Sequence, residues 1–191
     1  DYEHHTYGDY RSWDDETRYE LIDGMAYAMA PAPLRIHQEV AGEIYRQAAN
    51  ALEGARCRAL IAPLDVRLPR AGEADDRVDT VLQPDVLAVC DPDKLDERGV
   101  RGAPDWVVEV LSPATAGHDQ IHKRRVYEQH GVAELWLVHP TDRLLTIYRL
   151  EAGEYGKPEI VELEGETAVG VMPEVVIQWA ALAGRLPEPE Q

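Results

Sequence analysis

The chain has few cysteines and no long apolar run. With only Cys57 and Cys90 among 191 residues, and no framework spacing, we expect no disulfide scaffold, and a reducing cytoplasm is the expected compartment. No apolar run approaches the length that spans a bilayer, and no charged and apolar leader pattern opens the chain. We therefore expect neither a membrane segment nor a secretory signal.

Positive charge is also scarce. The chain carries 19 Lys and Arg against 36 Asp and Glu, which gives a formal net charge of −17. Such a field repels phosphate backbones and disfavours indiscriminate binding to duplex DNA or to anionic membranes. It does not exclude a nuclease, because local clusters and divalent cations decide the potential within a Debye length.

The length favours one domain over residues 1–191, with a core at about residues 16–150. Hydrophobic periodicity and turn residues give an α/β or α+β fold with one central sheet and helices packed on it. Asp23-Gly24 marks a type I′ hairpin turn. The predicted elements are a hairpin at 19–29, a helix at 34–52, strands at 57–68, 81–90, 106–111 and 133–139, a helix at 118–130, a hairpin at 143–163 and a closing helix at 175–183.

Two carboxylates mark candidate chemistry on the predicted strands. Asp85 follows Pro84 at the start of one strand, and Glu109 interrupts an apolar run in the next. If these strands are neighbours, the two acids can approach closely enough for one Mg²⁺ or Mn²⁺ ion to bridge them. The alternatives remain a turn residue at Asp85 and a salt-bridged strand residue at Glu109.

A lysine follows on the next predicted helix. On a helical wheel Lys123 shares one side with Val126 and Tyr127, whereas Arg124 and Arg125 lie off it. An ammonium group that faces the sheet can orient a water and stabilise charge on a phosphoryl oxygen. The alternative is a solvated or snorkelling lysine.

The runs QPDVLAVCDP and APDWVVEVLSPATAGHDQIHKRRVYEQHGVAELWLVHP, with YELIDGMAYAMAPAPLRIHQEVAGEI before them, resemble the restriction-endonuclease-like family. This family consists of small single-domain members of the PD-(D/E)XK nuclease superfamily. The resemblance implies a central mixed sheet flanked by helices, with an N-terminal β-hairpin. It implies a metal-dependent DNA endonuclease in which Asp85 and Glu109 are ligands of Mg²⁺ or Mn²⁺.

One position departs from the superfamily pattern, which has Lys two residues after the second acid. This chain has Leu111 there, and the resemblance implies that Lys123 supplies the ammonium group instead. By the same resemblance Glu20 is an outer carboxylate and His37 reaches the site from the long helix. An exposed strand residue and a satisfied core histidine are the respective alternatives.

Other functions remain open at this stage. Leu111 and the net charge favour a catalytically inactive binding or assembly module on the same fold. The net charge, which repels a large polyanion, also leaves open a hydrolase of smaller phosphate esters. His118 and His122 lie one helical turn apart, as in zinc peptidases, but Asp119 replaces the required Glu and both His residues fall off the packing side. The chain has no Gly-x-Ser-x-Gly elbow, phosphate-binding Gly-rich loop or paired-Cys zinc pattern. Self-association is plausible, with a homodimer as the expected form.

Overall fold

A computed structural model of the chain describes residues 3–30, 32–112, 117 and 119–188. In these residues no helix is long and apolar enough to cross a bilayer. The α-helices are α1 (Tyr7–Tyr10), α2 (Arg35–Ala51) and α3 (Arg124–His130), and a π-helical segment, Asp119–Lys123, leads into α3. Short 3₁₀ turns cover Asp75–Arg77, Pro92–Lys94 and Trp179–Ala181.

The strands are numbered in chain order and are mostly short. They are β1 (Tyr19–Ile22), β2 (Met25–Ala28), β3 (Arg58–Ile61), β4 (Val66–Arg67), β5 (Val81–Leu82), β6 (Val86–Val89), β7 (Leu95–Asp96), β8 (Gly99–Arg101), β9 (Trp106–Val110), β10 (Glu134–His139), β11 (Leu144–Glu151), β12 (Glu154–Tyr155), β13 (Glu159–Glu162), β14 (Glu166–Val169) and β15 (Met172–Gln178).

These strands form a larger sheet, a smaller sheet and a separate hairpin. The larger sheet has the order β12-β11-β10-β9-β6-β3, with β13 also paired to β11, and the smaller sheet has the order β2-β1-β5-β4-β8-β7. Strands β14 and β15 pair only with each other in the described part of the chain. In the larger sheet β9 and β10 are parallel and its other pairs are antiparallel, so the sheet is mixed. The predicted α+β class with a mixed sheet and flanking helices is confirmed.

The two faces of the larger sheet are covered by different elements. One face packs on α2 and on the β14–β15 hairpin, and the other packs on α3 and on the smaller sheet. Successive side chains of a strand point to opposite faces. On β9, Val108 and Val110 lie on the α2 side and Val107 lies on the α3 side. Glu109 therefore points towards α3.

The N-terminal hairpin and the long helix agree with the prediction. β1 and β2 pair in register from Tyr19–Ala28 to Ile22–Met25, and Asp23 and Gly24 both have positive φ values, as a type I′ turn requires. Helix α2 ends at Ala51, one residue before the predicted end. Its buried side chains, Val40, Ile44 and Ala48, recur at the spacing that predicted the helix.

Two predicted strands are each divided between the sheets. The segment 81–90 forms β5 in the smaller sheet and β6 in the larger one, and the segment 57–68 likewise divides into β3 and β4. Pro84 and Pro63 lie at the two breaks, where a residue without an N–H group cannot continue a ladder. Asp85 is thus placed where the chain passes from one sheet to the other.

The predicted closing helix is wrong. Residues 172–178 form strand β15, and a 3₁₀ turn at Trp179–Ala181 follows. Val175, Ile177 and Trp179 are buried, whereas the residues between them are more exposed, so the burial period is two. The run contains the β-branched residues Val175, Val176 and Ile177, which pack better on a pleated sheet than in a helix. A short apolar run suits either element, and here the strand is formed.

The expectation of no disulfide also needs correction. Cys57 and Cys90 are bonded to each other. Strands β3 and β6 pair antiparallel with Arg58 opposite Val89, and the next position of this register brings the two cysteines together. A separation of 33 residues gave no sign of this pairing in the sequence.

Candidate active site

Asp85 and Glu109 face each other across neighbouring strands. The β6–β9 ladder pairs Val86 with Val108, and one further step of this register places Asp85 opposite Glu109. Oδ2 of Asp85 accepts a hydrogen bond from the backbone N–H of Val110 at 2.7 Å. The backbone carbonyl of Asp85 accepts a second one from the backbone N–H of Ala62 at 3.0 Å. Asp85 is therefore fixed between β3 and β9.

Glu109 is almost completely buried, with 4% of its surface exposed. Its Oε1 accepts hydrogen bonds from Tyr127 Oη at 2.5 Å and from Lys123 Nζ at 3.2 Å. Burial raises the pKa of Glu109 to about 8; the ammonium group of Lys123 opposes this rise, and the negative charge of Asp85 adds to it. A cation placed near the two acids would favour ionised Glu109.

Lys123 lies at the junction of the π-helical segment and α3. Its Nζ is 2.9 Å from Glu20 Oε1 and 3.2 Å from Glu109 Oε1, and 4% of the residue is exposed. Arg125, in the first turn of α3, is exposed, as the helical wheel predicted. Single π-helical turns occur frequently at functional sites. The lysine is therefore a buried cation between two carboxylates.

Glu20 links the small sheet to this cluster. It is 5% exposed on β1, and its Oε1 accepts a hydrogen bond from the backbone N–H of Gln83 at 2.8 Å in addition to its ion pair with Lys123. Glu20 is therefore a buried residue and not the exposed strand residue that was its alternative in the sequence analysis. A carboxylate with a backbone donor and an ammonium partner is held in one orientation.

His37 reaches the site from the first turns of α2. Its Nε2 lies 3.1 Å from Asp85 Oδ2, and its Nδ1 is buried without a hydrogen-bond partner among the described residues. The side chains of His37 and Asp85 are 19% and 17% exposed, which makes them the more accessible members of the cluster. The structure thus brings all five predicted residues together: Glu20, His37, Asp85, Glu109 and Lys123.

Two further residues belong to the cluster and were not predicted as site residues. The hydroxyl of Tyr127 donates a hydrogen bond to Glu109, and the backbone N–H of Gln83 donates one to Glu20. Burial and the nearby carboxylates raise the pKa of Tyr127 well above its usual value, so the phenol stays protonated and donates. The sequence did carry one signal for Tyr127, since it lies one helical turn after Lys123 on the inward side.

The donor set of the site suits a hard divalent cation. Such ions are usually held by one or two carboxylates together with water and substrate phosphate, and Asp85 and Glu109 form a pair of that kind. Among the residues that the structure describes, no group of three or more His, Cys, Asp or Glu is arranged to hold a metal. Of the rival zinc pair, His118 lies outside the described residues and His122 is exposed.

Comparisons with known proteins agree with this architecture. A protein of Synechocystis sp. (strain PCC 6803), "Uncharacterized protein slr1290", is 26% identical over 132 residues, which is 68% of this chain. The match spans 65% of that protein's length. The crystal structure of "a putative nuclease" from Anabaena variabilis superimposes with a TM-score of 0.72 at 20% identity, and the match covers 94% of this chain and 97% of that one. At this identity the likeness establishes a shared fold.

The decisive comparison is with a family. The pattern of the Uma2 family, described as "Putative restriction endonuclease", matches residues 7–181. This range includes both sheets, helices α1 to α3 and the whole candidate site. The predicted relationship to restriction-endonuclease-like proteins is confirmed, and the chain belongs to the Uma2 family.

Proposed function

We propose that this protein hydrolyses phosphodiester bonds with the help of a divalent metal ion, and that its substrate is DNA. The observation that carries the proposal is the opposition of Asp85 and Glu109 on neighbouring strands, with the ammonium group of Lys123 at 3.2 Å from Glu109. The nuclease description of the family supports it.

In this proposal Asp85 and Glu109 hold Mg²⁺ or Mn²⁺. The ion, when bound, would lower the pKa of a water molecule and polarise the scissile phosphate. Burial, with a smaller contribution from the charge of Asp85, raises the pKa of Glu109 to about 8, and a second cation beside the acid would favour its ionised form. His37, 3.1 Å from Asp85, orients the more accessible of the two acids.

Lys123 supplies the positive charge that hydrolysis of a phosphodiester needs. The reaction places additional negative charge on phosphoryl oxygens, and a fixed ammonium group in a water-poor site stabilises that charge. Glu20 and Glu109 hold the ammonium on two sides, at 2.9 and 3.2 Å. In this proposal Lys123 also orients the attacking water, and Glu20 acts as an outer carboxylate.

The position of Leu111 is consistent with this division of roles. Leu111 is 6% exposed and packs in the same cluster as Val126 and Tyr127 of α3. An apolar residue at this point allows α3 to pack closely on β9, and this packing carries Lys123 to Glu109. The ammonium group expected two residues after Glu109 would thus come from the following helix.

Incubation with DNA tests the proposal. Wild-type protein is expected to cleave plasmid or single-stranded DNA in Mg²⁺ or Mn²⁺, and a variant with Asp85→Ala and Lys123→Ala is expected to be inactive. Arg125→Ala is the matched control, because Arg125 is an exposed cation on the same helix. Cleavage by the wild type that does not exceed that of the double variant would refute the proposal.

A second candidate is a binding or assembly module with a vestigial site. The net charge of −17 and the apolar Leu111 favour it. Calorimetry separates the two candidates, since the module predicts no Mn²⁺ binding at millimolar concentration. Hydrolysis of a small phosphodiester such as bis(p-nitrophenyl) phosphate, without cleavage of DNA, would instead indicate a smaller substrate.

A further inference from the structure

We infer that Arg18 binds a phosphate of the substrate strand beside the scissile phosphodiester; this inference rests on the proposed function. Arg18 immediately precedes β1, and Glu20 lies two residues further on. Residues at this spacing in an extended segment are about 7 Å apart. The β1–β5 register pairs Leu21 with Val81, and the side chain of Arg18 reaches Gln83, two residues before Asp85.

Among the described residues, one weak hydrogen bond contacts the guanidinium group. Nη1 of Arg18 donates to Oε1 of Gln83 at 3.4 Å. Gln83 itself is fixed, because its Nε2 donates to Asp65 at 2.9 Å and its backbone N–H donates to Glu20 at 2.8 Å. Arginine has five N–H donors, so most of those on Arg18 remain for another acceptor.

The charge environment identifies the kind of acceptor. Half of the sixteen arginines, all of which lie in the described residues, pair with carboxylates: Arg11, Arg35, Arg46, Arg67, Arg70, Arg98, Arg101 and Arg149. Arg18 belongs to the other half, and it is the one that donates to Gln83, next to the candidate site. Arg18 is half-buried, and within the described residues no carboxylate lies at ion-pair distance from it. A planar guanidinium group that no acid neutralises is suited to a phosphate.

Arg18 also adds positive charge near the site, which a chain of such negative net charge needs in order to bind DNA. A chain with a formal charge of −17 needs local cations to receive a polyanion near three carboxylates. Lys123 is buried and held between Glu20 and Glu109, so it can meet only a group that enters the site. Arg18 lies nearer the surface and can contact the backbone of the strand as it approaches.

Salt dependence distinguishes a phosphate contact from a purely structural one. Each phosphate contact adds about 0.7–0.9 to the slope of log affinity against log salt concentration. The measurement is fluorescence anisotropy of a short fluorescein-labelled DNA duplex and of its separated strands, in Ca²⁺, over a series of salt concentrations. The proteins are the wild type, Arg18→Gln, Arg18→Lys, Gln83→Met and the control Arg56→Gln, which changes an exposed arginine before β3.

Arg18→Gln is expected to weaken binding by about tenfold and to lower the slope by about one contact. Arg18→Lys should keep most of the slope, and Arg56→Gln should match the wild type. Gln83→Met releases the guanidinium group from this hydrogen bond but leaves its charge, so it should weaken binding less than Arg18→Gln and keep most of the slope. If Arg18→Gln weakens binding without lowering the slope, or leaves both unchanged, Arg18 contacts no phosphate and the inference is wrong.

Cleavage by the same proteins separates this inference from the proposed function. If the wild type cleaves DNA and Arg18→Gln retains the wild-type slope and affinity, the inference fails and the function stands. If the wild type binds DNA through Arg18 but does not cleave it, the function fails and the phosphate contact stands. If the wild type neither binds nor cleaves DNA, both are wrong.

Discussion

The ammonium nitrogen of Lys123 lies 2.9 Å from Oε1 of Glu20, so the N-terminal hairpin and the helix between β9 and β10 meet at a buried ion pair. The same nitrogen is 3.2 Å from Oε1 of Glu109. One buried cation therefore serves two buried acids that come from different sheets. Removing it should affect stability and chemistry together.

Lys123→Met is the direct test of this arrangement. The change leaves the buried carboxylate of Glu20 without its cation and removes a hydrogen-bond donor from Glu109. We expect a loss of about 3–5 kcal/mol in the free energy of unfolding at neutral pH. The matched control is Arg125→Met, which removes an exposed cation from the same helix and should stay within about 0.5 kcal/mol of the wild type. Urea unfolding gives both values, and equal stability of the two variants would contradict the role of the ion pair.

Asp85→Asn should abolish metal binding with little change in shape. The amide retains the size of the carboxylate but removes one of the two negative charges proposed to hold the ion. We expect Mn²⁺ binding by calorimetry to disappear and cleavage to fall by more than about a hundredfold, beyond the usual cost of changing an outer-shell residue. Glu97→Gln, at an exposed acid next to β7, is the control for loss of charge and should bind Mn²⁺ normally.

Tyr127→Phe removes the 2.5 Å hydrogen bond to Glu109 without removing the aromatic ring. We expect a loss of about 1–3 kcal/mol in stability, because a buried acceptor loses its donor. The pKa of Glu109 should rise further, since the bond stabilises its ionised form, and the acid limb of the pH–rate profile should move to higher pH.

The matched control for this change is Tyr155→Phe. Tyr155 packs in the same apolar cluster, but its hydroxyl donates to the carbonyl of Val132 at 2.9 Å. Tyr155→Phe should lower stability about as much as Tyr127→Phe does, but it should leave the pH–rate profile unchanged. A shift of the profile in both variants would show that the effect does not act through Glu109.

The metal-free protein should lose stability as the pH rises towards 8. The pKa of Glu109 is about 8 in the folded chain because of burial, against an ordinary value of 4.5. Between these values the folded state binds more protons than the unfolded state, so the free energy of unfolding falls with increasing pH. The contribution of protonated Glu109 to the free energy of unfolding is fully present below about pH 4.5. It is lost as the pH rises through the folded-state pKa of about 8.

Unfolding midpoints measured across this range in EDTA test the expectation. Glu109→Gln, which cannot ionise, should lack this part of the pH dependence. Mg²⁺ or Mn²⁺ should restore stability at the alkaline end of the wild-type curve, because a cation bound to the folded state offsets the charge on Glu109. A Glu109→Gln curve that parallels the wild type would show that another group titrates.

Local patterns were sufficient for much of the fold. Asp23-Gly24 indicated the hairpin, and the spacing of Val40, Ile44 and Ala48 indicated α2, because both depend on residues close in sequence. The pattern failed at residues 175–183, where a short apolar run suits either a strand or a helix. It also failed for the Cys57–Cys90 bond, which depends on the register of two strands.

The sequence by itself indicated which residues form the candidate site: the two acids at strand positions, the lysine on the inward side of its helix, and the family motifs that contain them. Only the tertiary structure decided how they meet. It placed Asp85 opposite Glu109, set Lys123 between Glu109 and Glu20, and added Tyr127 as a donor. The physical reason is that strand register and helix packing bring together groups far apart in sequence, whereas periodicity reports only which side of its own element a residue occupies.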